Sequence, residues 1–296
     1  MLQIDSQHKG PHILLIAGVH GDEYEPMIAV MELYNQLKRI LVKGKVTLVT
    51  GASETAYAAG TRTGADGLDL ARICPGNTNG SVSEVAAFRL SEWIRACDGV
   101  VDLHTGGALF DIYPLSGYML HHQPEVLETQ RRMAAAFNLP LVWGTDARAG
   151  GRTLSVARDA GIPAIYAEYG GGNMVQASII AAYVQGCLGV LDHFKMLVDG
   201  AFSKAPVAVK HTVEDAEPES GFLQGKMQSA FDGIFVPAVQ VGAMVKKGAE
   251  WGCIFDPVRQ EKYPVFADRS GLVLFVRRHP RVSAGESLGG ILAMDP

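Results

Sequence analysis

The 296-residue chain is poor in cysteine, with only Cys74, Cys97, Cys187 and Cys253, and no two of them form a Cys-x-x-Cys pair. Such scatter excludes a zinc knuckle, offers no disulfide framework and suits a reducing cytoplasm. Charge of either sign is sparse: 19% of residues are Asp, Glu, Lys or Arg, and the formal net charge is -5. There is no basic footprint for nucleic acid or for an anionic membrane surface. Long apolar runs are missing as well. The most hydrophobic long segment, Val175 to Leu191, is interrupted by Gln176, Gln185 and two glycines. It is too short and too polar to span a bilayer and reads as a buried core helix. The first six residues, Met1 to Ser6, lack a basic region followed by an apolar core, so no signal peptide is expected.

What remains is an ordinary globular composition, 48% hydrophobic, long enough for roughly two domains. Its organising stretch is Ile13-Leu14-Leu15-Ile16-Ala17-Gly18-Val19-His20-Gly21-Asp22-Glu23. The uncharged apolar run reads as a strand buried on both faces, as in parallel sheets. Polar residues follow at once, at the carboxyl end where open α/β sheets place their ligands. His20 and Glu23 offer a nitrogen and an oxygen donor there, a pair that suits zinc. Alone, the pair reads equally as a polar turn capping the helix expected from Pro26 to about Lys38.

The same arrangement returns twice. A second strand, Lys45 to Thr50, precedes residues 58–80, which are rich in Gly, Thr, Asn and Asp and read as a long loop carrying Arg62, Asp69 and Arg72. Each arginine by itself reads as a solvated charge. A helix from Ser83 to about Cys97 follows, with Ser83 as its cap. Then Gly99-Val100-Val101-Asp102-Leu103-His104-Thr105 is another strand with a polar tip. His104 is the candidate third ligand. Asp102 lies on the same side of that strand and is placed to orient the imidazole. Further on come a helix from Glu125 to Phe137, a strand from Leu139 to Trp143 and a helical fragment from Leu154 to Asp159. Ile162 to Gly172 then delivers one carboxylate, Glu168, into a glycine-rich turn. A charge ending a buried strand points to catalysis, with a structural ion pair as the alternative. His121 and His122 would face opposite ways on a strand and are set aside as surface or loop residues.

Taken in order, His20-Gly21-Asp22-Glu23, Arg62, Asp69-Leu70-Ala71-Arg72-Ile73-Cys74-Pro75-Gly76, Asp102-Leu103-His104-Thr105-Gly106-Gly107 and Glu168-Tyr169-Gly170-Gly171 resemble the succinylglutamate desuccinylase/aspartoacylase family, within the wider zinc carboxypeptidase-like group. The resemblance runs from about residue 10 to 195 and more loosely beyond. It implies an α/β fold, a mixed sheet flanked by helices, with one Zn2+ per chain held by His20, Glu23 and His104. It implies Glu168 as the catalytic carboxylate, Arg62 as the group polarising the scissile carbonyl and Arg72 as the clamp on a substrate carboxylate. Ala71 departs from the family, which usually carries Asn there, so one amide contact to the substrate is missing.

The implied chemistry is hydrolysis of the amide of a small N-acyl amino acid or related compound. Zinc would activate water and polarise the carbonyl, and Glu168 would move the proton from water to the leaving amine. A metallocarboxypeptidase acting on short peptides is the alternative enzyme. A non-catalytic binding protein on the same fold is the alternative outside enzymes. The expected partner is the small N-acyl substrate, with no nucleic acid or membrane; self-association into a homo-oligomer is left open.

Residues of about 200 to 220 are polar and proline-containing, Lys204 and Glu214 among them, and read as a linker. The division expected is a catalytic domain over 1–205 and a small all-β sandwich or barrel over 206–296, where turn glycines recur at regular spacing. That second part resembles the β domain carried by the family.

Overall fold

The computed structural model of the chain describes residues 1–203 and 206–294. Lys204 and the expected boundary after residue 205 lie outside the described residues. The chain divides into two compact units: the first comprises residues 1–105, 114–168 and 175–219, and the second 106–113, 169–174 and 220–296.

In the first unit the strands are β1 (Leu2–Asp5), β2 (His12–Ile16), β3 (Lys45–Val49), β4 (Gly99–His104), residues 114–119 of β5 (Phe110–Met119), β6 (Leu141–Thr145), residues 164–168 of β7 (Ala164–Gly171) and β8 (His211–Glu214). Their order across the sheet is β1-β3-β2-β4-β7-β5-β6-β8. The central β3, β2, β4 and β7 are parallel, while β1 runs antiparallel at the edge. Helices α1 (Tyr24–Ile40), α5 (Pro124–Phe137) and α7 (Ala177–His193) pack together, as do α3 (Leu70–Ile73), α4 (Val82–Arg95) and α6 (Thr153–Asp159). A short α2 (Glu54–Ala59) follows β3. The Val175–Leu191 segment is thus largely α7, and no helix of the described residues is long and apolar enough to cross a membrane.

Strand alternation explains where the site forms. Side chains in register on parallel neighbours share a face, and the pairs Leu14↔Val100, Ile16↔Asp102, Val100↔Ala164, Asp102↔Tyr166 and His104↔Glu168 define one such face. Its lower rungs, Leu14, Ile16, Val100 and Ala164, bury against Ala87, Leu90 and Ile94 of α4 and Leu154 and Ala157 of α6. Burying such aliphatic side chains stabilises the fold by about 1.5–3 kcal/mol each. At the carboxyl ends the same face turns polar, with Asp102, His104, Tyr166 and Glu168. The site is therefore the upper edge of a core layer.

Several elements differ from the sequence expectation. The region 58–80 is not a plain loop: α3 is set into it, with Asp69 as its N-cap accepting from the Ala71 amide at 2.9 Å. Helix α4 is capped by Ser81, whose amide donates to Glu84 at 2.8 Å, while Ser83 is buried and its hydroxyl donates to Asp66 at 2.7 Å. Strand β5 has no counterpart in the sequence expectation; Pro114 stands in the middle of it and interrupts its apolar pattern. The expected linker holds β8, which pairs in parallel with β6, and the last stretch of the second unit starts at Ser220. His121 is buried and its ring stacks on that of His122, the centroids 4.6 Å apart. Its Nδ1 accepts from the Gln123 amide at 3.0 Å, which leaves Nε2–H to donate to the Arg158 carbonyl at 3.1 Å. That histidine is a satisfied turn residue.

The second unit is all-β. One antiparallel sheet has the order β12 (Glu261–Phe266), β11 (Glu250–Asp256), β9 (Gly233–Pro237), β14 (Arg281–Val282). Strand β13 (Gly271–Arg277) pairs with β10 (Met244–Val245), with β15 (Gly289–Ala293) and with Phe110–Ile112 of β5. Phe235, Trp251, Ile254, Val273 and Val276 form its core. The buried Arg277 guanidinium is satisfied by the carbonyls of His279, Arg281 and Ser287 and by Glu286, as a buried charge requires.

Candidate metal centre

After β2 the backbone turns at Gly18, whose φ of 70° lies in the left-handed region that glycine enters without strain. Gly21 sits against α2: a Cβ there would lie 1.9 Å from the Ala56 carbonyl carbon. Its amide donates to the Thr61 carbonyl at 2.9 Å. The glycine of His-Gly-Asp-Glu is therefore a contact residue, letting the turn lie on α2 and bringing the segment with Arg62 alongside.

Glu23 immediately precedes α1 at the N-cap position, yet its side chain makes no capping bond. Its carboxylate is spent on two imidazoles instead. Oε1 lies 2.7 Å from His20 Nδ1, and Oε2 lies 3.1 Å from His104 Nδ1 while accepting from the Thr105 amide at 3.1 Å. A helix-capping role for the pair is thereby ruled out. His20, Glu23 and His104 are all buried, 3%, 1% and 8% exposed, and one ligand atom from each lies within 4.8 Å of the others. The two rings stand 5.1 Å apart.

Each imidazole is held on its far side by an aspartate. His20 Nε2 meets Asp69 Oδ1 at 3.2 Å, and His104 Nε2 meets Asp102 Oδ2 at 3.1 Å. A carboxylate accepts only, so each aspartate fixes a proton on Nε2 and directs Nδ1 toward Glu23. Burial alone would lower both histidine pKa values. The carboxylates outweigh it: Glu23, aided by Asp69, raises His20, and Asp102 with Glu23 raises His104 well above the ordinary value. Burial favours the neutral form of Glu23, yet the imidazoles His20 and His104 hold its pKa below the usual carboxylate range. Two neutral-capable nitrogens and one carboxylate oxygen, each oriented from behind, are a donor set that fits a divalent metal, whose binding displaces such protons.

Glu168 stands beside His104 across the β4–β7 pair. Its Oε2 is buried with no hydrogen-bond partner among the described residues. Burial pushes its carboxyl up to about 8, His104 opposing and the Glu23 charge adding to the rise. A buried carboxyl oxygen with no partner among the described residues, beside a cluster that could hold a metal, is open to a ligand or water.

Arg62 lies at the same site. Its Nε donates to Asp69 Oδ2 at 2.9 Å, and its Nη1 lies 3.5 Å from His20 Nδ1. Arg72, on α3, donates from Nη1 to the Ala71 carbonyl at 2.9 Å. Burial lowers its pKa and Asp69 opposes, with Arg62, Arg152 and Glu168 completing its electrostatic surroundings. Ala71, where the family usually carries Asn, is buried among the core residues.

All six residues singled out in the sequence thus converge on one edge of the sheet. The structure adds two that sequence reasoning passed over. Asp69 stands in the sequence in the loop and at the head of a family motif with no role of its own, although an Asx before a short apolar stretch is a capping signal; here it joins His20, Arg62 and α3. Thr153 carried no signal at all, since its partner, Asp102, is 51 residues away.

Comparison with known proteins agrees with this geometry. Residues 9–194 match the model of the succinylglutamate desuccinylase/aspartoacylase catalytic domain. The chain is 32% identical, over 96% of its length and 82% of the relative's, to the N-alpha-acetyl-L-2,4-diaminobutyric acid deacetylase of Halomonas elongata. A succinylglutamate desuccinylase/aspartoacylase crystal structure from Rhodobacter sphaeroides superposes with a TM-score of 0.84 at 27% identity, covering 96% of this chain and 86% of that one. The product-bound ectoine utilization protein EutE (DoeB) of Ruegeria pomeroyi gives 0.85 at 26%, covering 98% and 87%. With its motifs gathered at one site, its fold shared and most of its length matched, the chain belongs to the succinylglutamate desuccinylase/aspartoacylase family, whose named members are deacylases.

Proposed function

We propose that the protein is a zinc-dependent deacylase that hydrolyses the amide of a small N-acyl amino acid to a carboxylate and a free amine. The observation that carries this reading is the buried carboxylate of Glu23 bridging two Nδ1 atoms beside Glu168, whose Oε2 has no hydrogen-bond partner among the described residues. His20, Glu23 and His104 would hold one zinc ion per chain. When bound, zinc supplies Lewis acidity toward the amide carbonyl and a lowered pKa for water.

The remaining work falls to side chains. Glu168 takes the proton of the attacking water and passes it to the leaving nitrogen; burial raises its pKa toward neutrality, where a shuttle is most effective. Arg62 stabilises the developing oxyanion. Arg72 holds a substrate carboxylate through two parallel hydrogen bonds and so fixes the amide for attack. Four free cysteines support a cytoplasmic setting.

The relative named for N-alpha-acetyl-L-2,4-diaminobutyric acid puts N-acetylated diamino acids first among substrates to assay. Metal analysis of the purified protein and assay of N-acetyl-diaminobutyrate, N-acetylaspartate, N-succinylglutamate and short peptides test the reading together. Expected are about one zinc per chain and amine release from an N-acyl amino acid. Trimming of peptides with no turnover of N-acyl amino acids would replace it by the carboxypeptidase reading.

A further inference from the structure

We propose that Thr153 is a positioning residue for the metal centre, acting through Asp102 to lock the His104 imidazole in the orientation that presents Nδ1. The inference rests on the reading of His20, Glu23 and His104 as the ligand set.

Asp102 is 1% exposed and lies on a strand buried along its whole length. Its Oδ1 has no hydrogen-bond partner among the described residues. Both of its side-chain bonds fall on Oδ2, which accepts from the Thr153 hydroxyl and meets His104 Nε2 at 3.1 Å. Two directions are forced, because the Asp102 carboxylate can only accept: the hydroxyl proton points to Asp102, and His104 Nε2 carries a proton toward it. A carboxylate bonded by His104 alone could pivot about that single bond. The second bond, from Thr153, removes that freedom.

Packing supports a fixed anchor. Thr153 is the first residue of α6 and is itself 3% exposed. Just ahead of it the Arg152 amide donates to the Ser155 hydroxyl at 2.9 Å, and the Arg152 carbonyl accepts from the Ser155 amide at 3.1 Å. Leu154, Val156 and Ala157 then seat the helix in the core layer beneath the site. His104 is restrained at its backbone as well, its carbonyl accepting from the buried Tyr183 hydroxyl. Ring and main chain of this ligand are thus tied to two separate helices, α6 and α7. Partners behind a ligand histidine commonly control metal affinity by about 10- to 100-fold.

The test compares Thr153→Val, Thr153→Ser, Asp102→Asn and the Thr153→Val/Asp102→Asn double variant in the full chain. Zinc affinity is measured by chelator competition and zinc release by stopped-flow transfer to a chromophoric chelator. Valine keeps the shape of threonine and removes the donor, so Thr153→Val should bind zinc about 10-fold more weakly and release it faster. Thr153→Ser should restore wild-type affinity, and the double variant should be no worse than Asp102→Asn alone. Thermal unfolding of the metal-free variants identifies general destabilisation, which serine would not rescue and which would leave zinc release unchanged. Zinc affinity of Thr153→Val within twofold of wild type overturns the proposal, as does a loss that adds in full to that of Asp102→Asn. Failure of the wild type to bind zinc would instead overturn the metal centre itself, a distinguishable result.

Discussion

At the scale of single residues, burial decides what each group can do. Glu168 has a buried oxygen with no hydrogen-bond partner among the described residues, and in a structural role that cost of about 1–3 kcal/mol would have no return. Glu168→Gln keeps shape and cannot take a proton. Metal content should therefore stay at the wild-type level while kcat falls by at least about 100-fold, measured by metal analysis alongside steady-state kinetics. As the proposed carboxylate clamp, Arg72 is tested differently. Its planar fork pairs with a carboxylate in a way lysine cannot copy. Arg72→Lys should raise KM for an N-acyl amino acid and leave zinc in place. The corresponding amide, lacking the carboxylate, should be a poor substrate for wild type and lose little more in the variant. Equal losses of kcat/KM for acid and amide would assign Arg72 to holding α3 rather than substrate.

At the scale of elements, the β8 edge shows how a strand of four residues is secured where the sequence reads as a linker. Glu214, at its end, accepts from the Tyr118 hydroxyl at 2.7 Å and from Arg131 Nε and Nη2 at 2.8 and 2.9 Å. The Arg131 fork holds the Glu214 pKa below its ordinary value of 4.5, burial opposing and the Tyr118 hydroxyl assisting. A carboxylate with a depressed folded-state pKa contributes stability above its unfolded value and loses it as pH falls through the folded one. Glu214→Gln should therefore cost about 1 kcal/mol at pH 7, a magnitude set by a half-exposed ion pair and one hydrogen bond. The difference from wild type should shrink below about pH 4 as Glu214 itself protonates. Denaturant melts at both pH values measure it.

At the scale of the whole molecule, the proposed ligands of one centre come from two distant parts of the chain, His20 and Glu23 after β2 and His104 at the end of β4. A ligand that binds only when these meet stabilises the fold by linkage, by about 2.7 kcal/mol at free metal a hundredfold above Kd. Chelation should lower the thermal midpoint and added zinc should restore it, with the shift growing with zinc concentration. His104→Ala should abolish that dependence. A midpoint indifferent to zinc in the wild type would remove the centre from the folding equilibrium.

The sequence by itself determined the parallel strands and their polar ends, because a buried strand written without charge makes each charge at its tip conspicuous. His20, Glu23, His104 and Glu168 stand out in the sequence for that reason, and the all-β character of the second unit was legible from its turn glycines. Asp102 was legible as the partner of His104 because strand alternation is local. Tertiary structure decided the rest. Proline hid β5, and β8 is a strand only because β6 lies beside it. Asp69 and Thr153 owe their places to contacts with His20 and Asp102 across 49 and 51 residues. No local pattern encodes such a contact. It exists because the register of the sheet and the seating of α3 and α6 bring hydroxyl, carboxylate and imidazole within hydrogen-bonding reach.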